Sequence, residues 1–289
     1  MMALAAKRVR YLLAALALSA GCAVTAVAGA AAATSAVAAD GPTAVPSSTV
    51  TVLFGNYAGY SWYPLTGTDR YALAKWKVPA VSCSGGPGAF FAGRAAVWVG
   101  LWGNVAHSDL VQAGTDSLCY KEKAHLKVKP IPYCSGHGST KSPYFAWAEA
   151  VPYPPCALMD VKPQDRIYVQ VEYAGTCTTC KLRFWFDVTD LTTGVQKQGY
   201  LQYKTVQSLD SEASIGGAIV ENSGDRQLPK FNTIAISGVE IGSSFSQGPD
   251  RYDYYMGPCA GNILAGPGGL RDNNSAFVVA WLNYTVPAC

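Results

Sequence analysis

Between positions 166 and 173 the chain alternates with a period of two. Ile167, Val169, Val171 and Tyr173 fall on one side, and Gln170 and Glu172 on the other. Side chains of an extended strand point alternately to its two faces, so this pattern predicts a half-buried β-strand. The segment 181–187 repeats it, with Leu182, Phe184 and Phe186 opposed to Arg183 and Asp187. Shorter apolar or alternating runs, punctuated by Gly, Pro, Asn and Asp, predict further strands at 49–54, 71–78, 95–101, 110–113, 124–128, 144–151, 199–205, 218–221, 233–237 and 276–284. Asp190-Leu191-Thr192-Thr193-Gly194 predicts a turn. Beyond the N-terminal region no segment sustains a helical stripe. Strands at this spacing predict an all-β fold, an antiparallel β-sandwich of the concanavalin-like kind.

The first residues follow a different rule. Lys7, Arg8 and Arg10 precede an apolar run from Tyr11 through Val27 and an Ala-rich tail ending at Asp40. Basic start, apolar middle and small residues are the parts of a secretory signal peptide, with Ala36-Val37-Ala38 or Val37-Ala38-Ala39 as the cleavage point. The alternatives are an uncleaved anchor, since the charge-free span is long enough to cross a bilayer, and a lipoprotein attached through Cys22, where Ser19 stands in place of the usual Leu. The organisation expected is a leader over 1–39, a Pro/Ser/Thr linker or residual pro-segment over 40–48, and one domain over 49–289. About 240 residues is within the range of a single β-sandwich.

Removing the leader deletes three of the 22 basic residues and none of the 19 acidic ones, leaving nineteen of each. A neutral mature chain has no basic excess with which to hold nucleic acid or anionic lipid. Of nine cysteines, Cys22 lies in the leader; the other eight make an even set, as four disulfides in an extracellular protein require. Neighbour pairing would join Cys83 to Cys119, Cys134 to Cys156, Cys177 to Cys180 and Cys259 to Cys289. The Cys177-Thr178-Thr179-Cys180 spacing also fits a redox or zinc pair. No second such pair or nearby His accompanies it, which favours a turn-closing disulfide.

The candidate chemistry centres on Trp98 to Asp116, WVGLWGNVAHSDLVQAGTD. Here an amide, Gln112, stands on a strand between Val111 and Ala113, and a buried amide needs hydrogen-bond partners. The pattern W-V-G-x-x-G … Q-x-G-x-D resembles the glutamic peptidases, the eqolisin family of secreted acid proteases. Further segments resemble the same family in order: Asn56-Tyr57-Ala58-Gly59, Trp76-Lys77-Val78-Pro79, Tyr144-Phe145-Ala146-Trp147-Ala148-Glu149, and Ile219-Val220-Glu221-Asn222 before the strand at 233–237. The resemblance implies a catalytic pair, Gln112 and Glu221, with Trp98, Asp116, Glu149 and Trp147 lining the substrate site. It also implies a polypeptide substrate, no metal or cofactor, secretion and a monomer. Two positions depart from the family pattern. Gly217 stands where its A-E-W-I-V-E motif has the first Glu, and Trp102 where W-V-G-x-D-G has Asp.

Such a pair has a physical logic of its own. A carboxylate within reach of water can take its proton and later return it to a leaving amine. A neutral amide can donate N–H to the developing oxyanion without burying a second charge. Two other readings stay open: a non-catalytic β-sandwich binding carbohydrate or peptide along an aromatic cleft, and a glycosidase using Glu149 and Glu221. Other hydrolytic mechanisms leave no motif. There is no D-T/S-G, no G-x-S-x-G elbow, and His107, His125 and His137 lack metal spacing. The run Ser84-Gly85-Gly86-Pro87-Gly88 has no Lys or following helix and reads as a loop rather than a phosphate cradle.

Overall fold

The structure, a computed structural model, describes residues 48–63, 65, 70–83, 93–103, 110–119, 142–178, 180–203, 215–222, 228–242, 250–257 and 263–282. Among them every regular element is a strand: β1 (Ser48–Phe54), β2 (Tyr57–Tyr63), β3 (Tyr71–Lys77), β4 (Gly93–Trp102), β5 (Leu110–Cys119), β6 (Tyr144–Ala150), β7 (Cys156–Asp160), β8 (Arg166–Tyr173), β9 (Leu182–Asp190), β10 (Val195–Tyr203), β11 (Ile215–Glu221), β12 (Thr233–Ile241), β13 (Asp250–Met256), β14 (Ala265–Pro267) and β15 (Phe277–Trp281). The predicted strand at 124–128, the leader, Ser84–Gly88 and the three histidines lie outside the described residues.

The strands form one hydrogen-bonded path, β10-β9-β8-β3-β12-β15-β14-β13-β2-β11-β4-β5-β6-β7, with β1 pairing β13 in parallel. The path folds back on itself as a sandwich. β3 and β8 pack on β4, and β8 and β9 on β5, so β10 to β12 in path order form one layer and β11, β4, β5 and β6 the heart of the other. Between the layers lie Ala95, Val97, Val99 and Leu101 of β4, Ile167, Val169 and Val171 of β8, and Phe184, Phe186 and Val188 of β9. Burying such side chains is the main favourable term in folding.

The alternation at 166–173 and 181–187 becomes β8 and β9, with the predicted faces inward. Asp190 closes the turn that follows, accepting from the backbone N–H of Thr192 and of Thr193, while Gly194 takes a positive φ of 77°. Elsewhere the pattern misled. β5 does not stop at Ala113 but runs on through Gly114-Thr115-Asp116-Ser117 to Cys119. Each buried polar group there has a partner: Thr115 Oγ1 accepts from Trp76 Nε1 at 2.9 Å, Ser117 Oγ donates to Pro79 O at 3.2 Å, and Asp116 accepts from Arg94. Once partnered, a polar residue no longer forbids a buried strand. β2 escaped notice because it is buried on both faces and shows no alternation. β7, β13 and β14 were also missed.

Two of the neighbour disulfides form, Cys83–Cys119 and Cys177–Cys180, so the latter pair is neither a zinc site nor a free dithiol. Cys156 is disulfide-bonded as well; Cys134, Cys259 and Cys289 lie outside the described residues.

Candidate active site

The layer built on β11, β4, β5 and β6 buries one face in the core, and the residues singled out in the sequence stand on its other face. Period-two geometry puts Ile215, Gly217, Ile219 and Glu221 on that face, with Trp98 and Trp102 of β4, Leu110, Gln112, Gly114 and Asp116 of β5, and Phe145, Trp147 and Glu149 of β6. The strand register arranges them in rungs. The first is Ile215, Trp102 and Leu110. The second is Gly217, Gly100, Gln112 and Glu149; the third is Ile219, Trp98, Gly114 and Trp147; the fourth is Glu221, Ala96, Asp116 and Phe145. Gln112 and Glu221 therefore share a face, two rungs and two strands apart.

The third rung holds the others together. Trp98 and Trp147 are fully buried and flank Gly114 in the register. A Cβ on Gly114 would collide with the Val97 carbonyl and stand 2.7 Å from Trp98 Cβ. The Trp98 indole donates from Nε1 to Glu221 Oε2 at 2.8 Å, and Asn56 Nδ2 donates to Glu221 Oε1 at 3.3 Å. Both carboxylate oxygens are thus fixed by neutral donors. Tyr57 sits opposite Glu221 on β2, edge-on to the Trp98 ring at 5.5 Å.

Gln112 finds a different carboxylate. Its Nε2 donates to Glu149 Oε2 at 2.7 Å across the β5–β6 pair, and its Oε1, buried, has no hydrogen-bond partner. No direct hydrogen bond joins Gln112 to Glu221. In the fourth rung Asp116, 2% exposed, lies with both oxygens 2.9 Å from Arg94 Nε. The Arg94 guanidinium also stands 5.9 Å from the Trp147 ring centroid. Among the described residues no three His, Cys, Asp or Glu side chains gather closely enough to hold a metal ion.

This ordered face agrees with what the chain matches. Residues 55–251 fit the model of the peptidase A4 family. The chain belongs to that family, the glutamic peptidases or eqolisins. It is accordingly a glutamic-type endopeptidase, a hydrolase. The fold is that of two solved eqolisins. Scytalido-glutamic peptidase, solved with a transition state analog inhibitor, superposes with a TM-score of 0.55 at 14% identity, over 80% of this chain and 100% of that one. SCP-B, solved in a complex with the tripeptide Ala-Ile-His, does so with a TM-score of 0.53 at 14% identity and the same coverage. No curated protein matches the chain.

In this A4 peptidase the carboxyl groups of Glu149 and Glu221 hold their protons more tightly than usual. Burial pushes Glu149 up to about 7, with the negative charges of Glu221 and Asp116 adding to the rise; the Gln112 hydrogen bond and Arg94 oppose it. Glu221 is raised too, first by burial and then by Asp116, against the pull of Arg94 and the Trp98 and Asn56 donors. Burial raises Tyr57 as well, and both Glu221 and Glu149 keep it a neutral phenol. Desolvation penalises a charged form, and a like charge nearby adds to the penalty.

The structure thus brings all six sequence-selected residues onto one face, with Glu149 rather than Glu221 as the direct neighbour of Gln112. Sequence reasoning passed over Arg94. Its signal was there: a lone charge entering an apolar run, which can be buried only beside a partner of opposite sign. Asn56 and Tyr57 were noticed as a motif and not as residues that hold Glu221.

Proposed function

We propose that this chain is a secreted acid endopeptidase in which Glu221 handles the proton and Gln112 the oxyanion. Glu221 takes a proton from water as the oxygen attacks the scissile carbonyl carbon. The carbonyl oxygen, now carrying the negative charge, accepts from the amide of Gln112. As the C–N bond breaks, Glu221 gives its proton to the leaving amine, and the carboxylate is restored with nothing consumed but water.

The observation that carries this reading is the open valence of Gln112. Its Nε2 bears two hydrogens and spends one on Glu149, while its Oε1 is buried without a partner. A buried acceptor left unpaired is costly. A water bound there repairs the deficit and lies on the same face as Glu221, whose carboxylate Trp98 and Asn56 hold in place. Burial moves the ionisation of Glu221 up from the ordinary carboxylate range towards neutral pH, so the carboxylate that takes the proton is populated in the upper part of the acidic range. Asp116, Glu149, Trp98 and Trp147 act as positioning or substrate-lining groups. Export is supported by the leader pattern and by the two disulfides.

Casein digestion across acidic pH tests the assignment. Glu221→Gln and Gln112→Ala are each expected to lower kcat by about 100-fold or more, with circular dichroism unchanged. Wild-type rates in either variant would refute the pair, and a folded wild-type protein inert towards every polypeptide would favour a binding scaffold.

A further inference from the structure

The chemistry above uses three rungs and leaves the first unexplained. Ile215, Trp102 and Leu110 are all apolar and all only half-buried, although Leu101 and Val111 beside them are fully buried. Trp102 stands edge-on to Trp98, 5.9 Å between ring centroids. Its ring lies over Gly217: a Cβ built there would be 2.7 Å from Trp102 Cη2. The second rung, between Trp102 and the Trp98 row, has no side chain on Gly217 or Gly100, so its first side chain is that of Gln112 itself. The two glycines thus carry the indoles rather than side chains of their own: the Trp102 ring lies over Gly217, and the edge of the Trp98 ring is 3.2 Å from a Cβ built on Gly100. The half-exposed flanks of Trp102 and Leu110 stand one rung from the proposed oxyanion donor. No charged side chain belongs to that outer rung.

We propose that the rung of Ile215, Trp102 and Leu110 is a substrate subsite, taking a large apolar side chain, aromatic or long aliphatic, from the residue that flanks the scissile bond on the Gln112 side. The proposal rests on the peptidase reading of Gln112 and Glu221. The physical case is one of surface and size. A peptide whose carbonyl reaches Gln112 brings its neighbouring side chain against the exposed flanks of Trp102 and Leu110, one rung away. Their half-exposed apolar area leaves water only if that side chain is apolar and long enough to reach it. An acidic or short side chain in the same place gains nothing and, if charged, loses hydration. The Asp that the family pattern carries at position 102 would present a charge there; the indole presents none. Trp102 is thus a specificity-determining residue, and the absence of a side chain on Gly217 lets its ring stand where it does.

Two measurements test this. The first is a peptide-library digest at acidic pH, in which cleavage is expected to be enriched for Phe, Leu or Met at one position next to the cut. Trp102→Ala and Leu110→Ser should each flatten that enrichment, with kcat/KM for the apolar substrate falling about tenfold. The second needs no turnover: binding to the Glu221→Gln protein of paired peptides differing only in Phe against Gly at that position. The Phe peptide is expected to bind about tenfold tighter, and Trp102→Ala should erase the difference. Equal binding of the two peptides overturns the subsite whatever the catalytic result. Selective binding in a wild-type protein that cleaves nothing would leave the subsite standing and sink the peptidase reading. Enrichment and selective binding that survive both Trp102→Ala and Leu110→Ser would show the selectivity to lie elsewhere, and would overturn the assignment to this rung.

Discussion

The two ends of the site face are built on the same strands, in the same register, with the same alternation. Yet one end is the Ile215, Trp102 and Leu110 rung and the other is Glu221, Ala96 and Asp116, with Arg94 one rung further on. Backbone pairing therefore fixes where a side chain stands and says nothing about what it does there. The chemistry comes from the balance between burial and partners. At the charged end every carboxylate is held: Asp116 by an arginine, Glu221 by an indole and an amide. The apolar end needs no such partners, because half-exposed hydrocarbon costs little while water still reaches it. An enzyme face can thus hold charge at one end and grip at the other without any change of fold.

That contrast predicts where the face is most fragile. Arg94→Met removes the arginine that pairs with buried Asp116, and should destabilise the protein by about 3–5 kcal/mol, read as a lower urea midpoint. Adding Asp116→Leu should restore most of the loss, since an apolar pair of similar volume has no charge to strand. A single-variant cost under about 1 kcal/mol would mean that the ion pair contributes no more than a surface bridge does.

Protons give the next contrast, because the apolar rung has no group to bind them, whereas Glu149 in the second rung and Glu221 in the fourth do. Glu149 holds its proton up to about pH 7, against an ordinary value of 4.5, and Glu221 is shifted the same way. The folded state thus binds these protons more tightly than the unfolded chain does. The resulting stability is fully present below about pH 4.5 and is lost as pH rises through 7. The melting temperature of the wild type should fall across that interval relative to Glu149→Gln, whose amide can still accept from Gln112 but does not titrate. Trp102→Ala, at the end without titratable groups, should keep the wild-type slope. A Glu149→Gln protein with an unaltered slope would locate the proton linkage elsewhere.

How much of this was legible beforehand depended on whether a residue's neighbours lay near it in sequence. The alternation in β8 and β9 is a local property, and it gave their inward faces correctly. The site residues were legible only through their order along the chain, since what Gln112 touches is decided by the β5–β6 register, 37 residues apart. The end of β5 was not legible. Gly-Thr-Asp-Ser has the composition of a turn until Arg94, Trp76 and Pro79, all distant in sequence, satisfy it. β2 failed for the opposite reason: buried on both faces, it carries no period for a pattern to reveal.

The smallest effect asks whether the apolar end is packed or merely apolar. A methyl on Gly217 would lie 2.7 Å from Trp102 Cη2 and 2.8 Å from the Tyr60 carbonyl oxygen. The ring can move towards solvent, because Trp102 is only half-buried, whereas the carbonyl belongs to the β2–β11 ladder and cannot. Gly217→Ala should therefore cost about 1–3 kcal/mol, and part of that cost should vanish in a Trp102→Ala background. The double-mutant cycle isolates the ring's share, expected at about 1 kcal/mol. A cost that is the same in both backgrounds would assign all of the strain to the backbone and leave Trp102 free to swing. A cost near zero in both would mean that the strands separate readily at this end. In either case the indole would not be the fixed wall that selects a side chain, and the difference between the two ends would be one of charge alone.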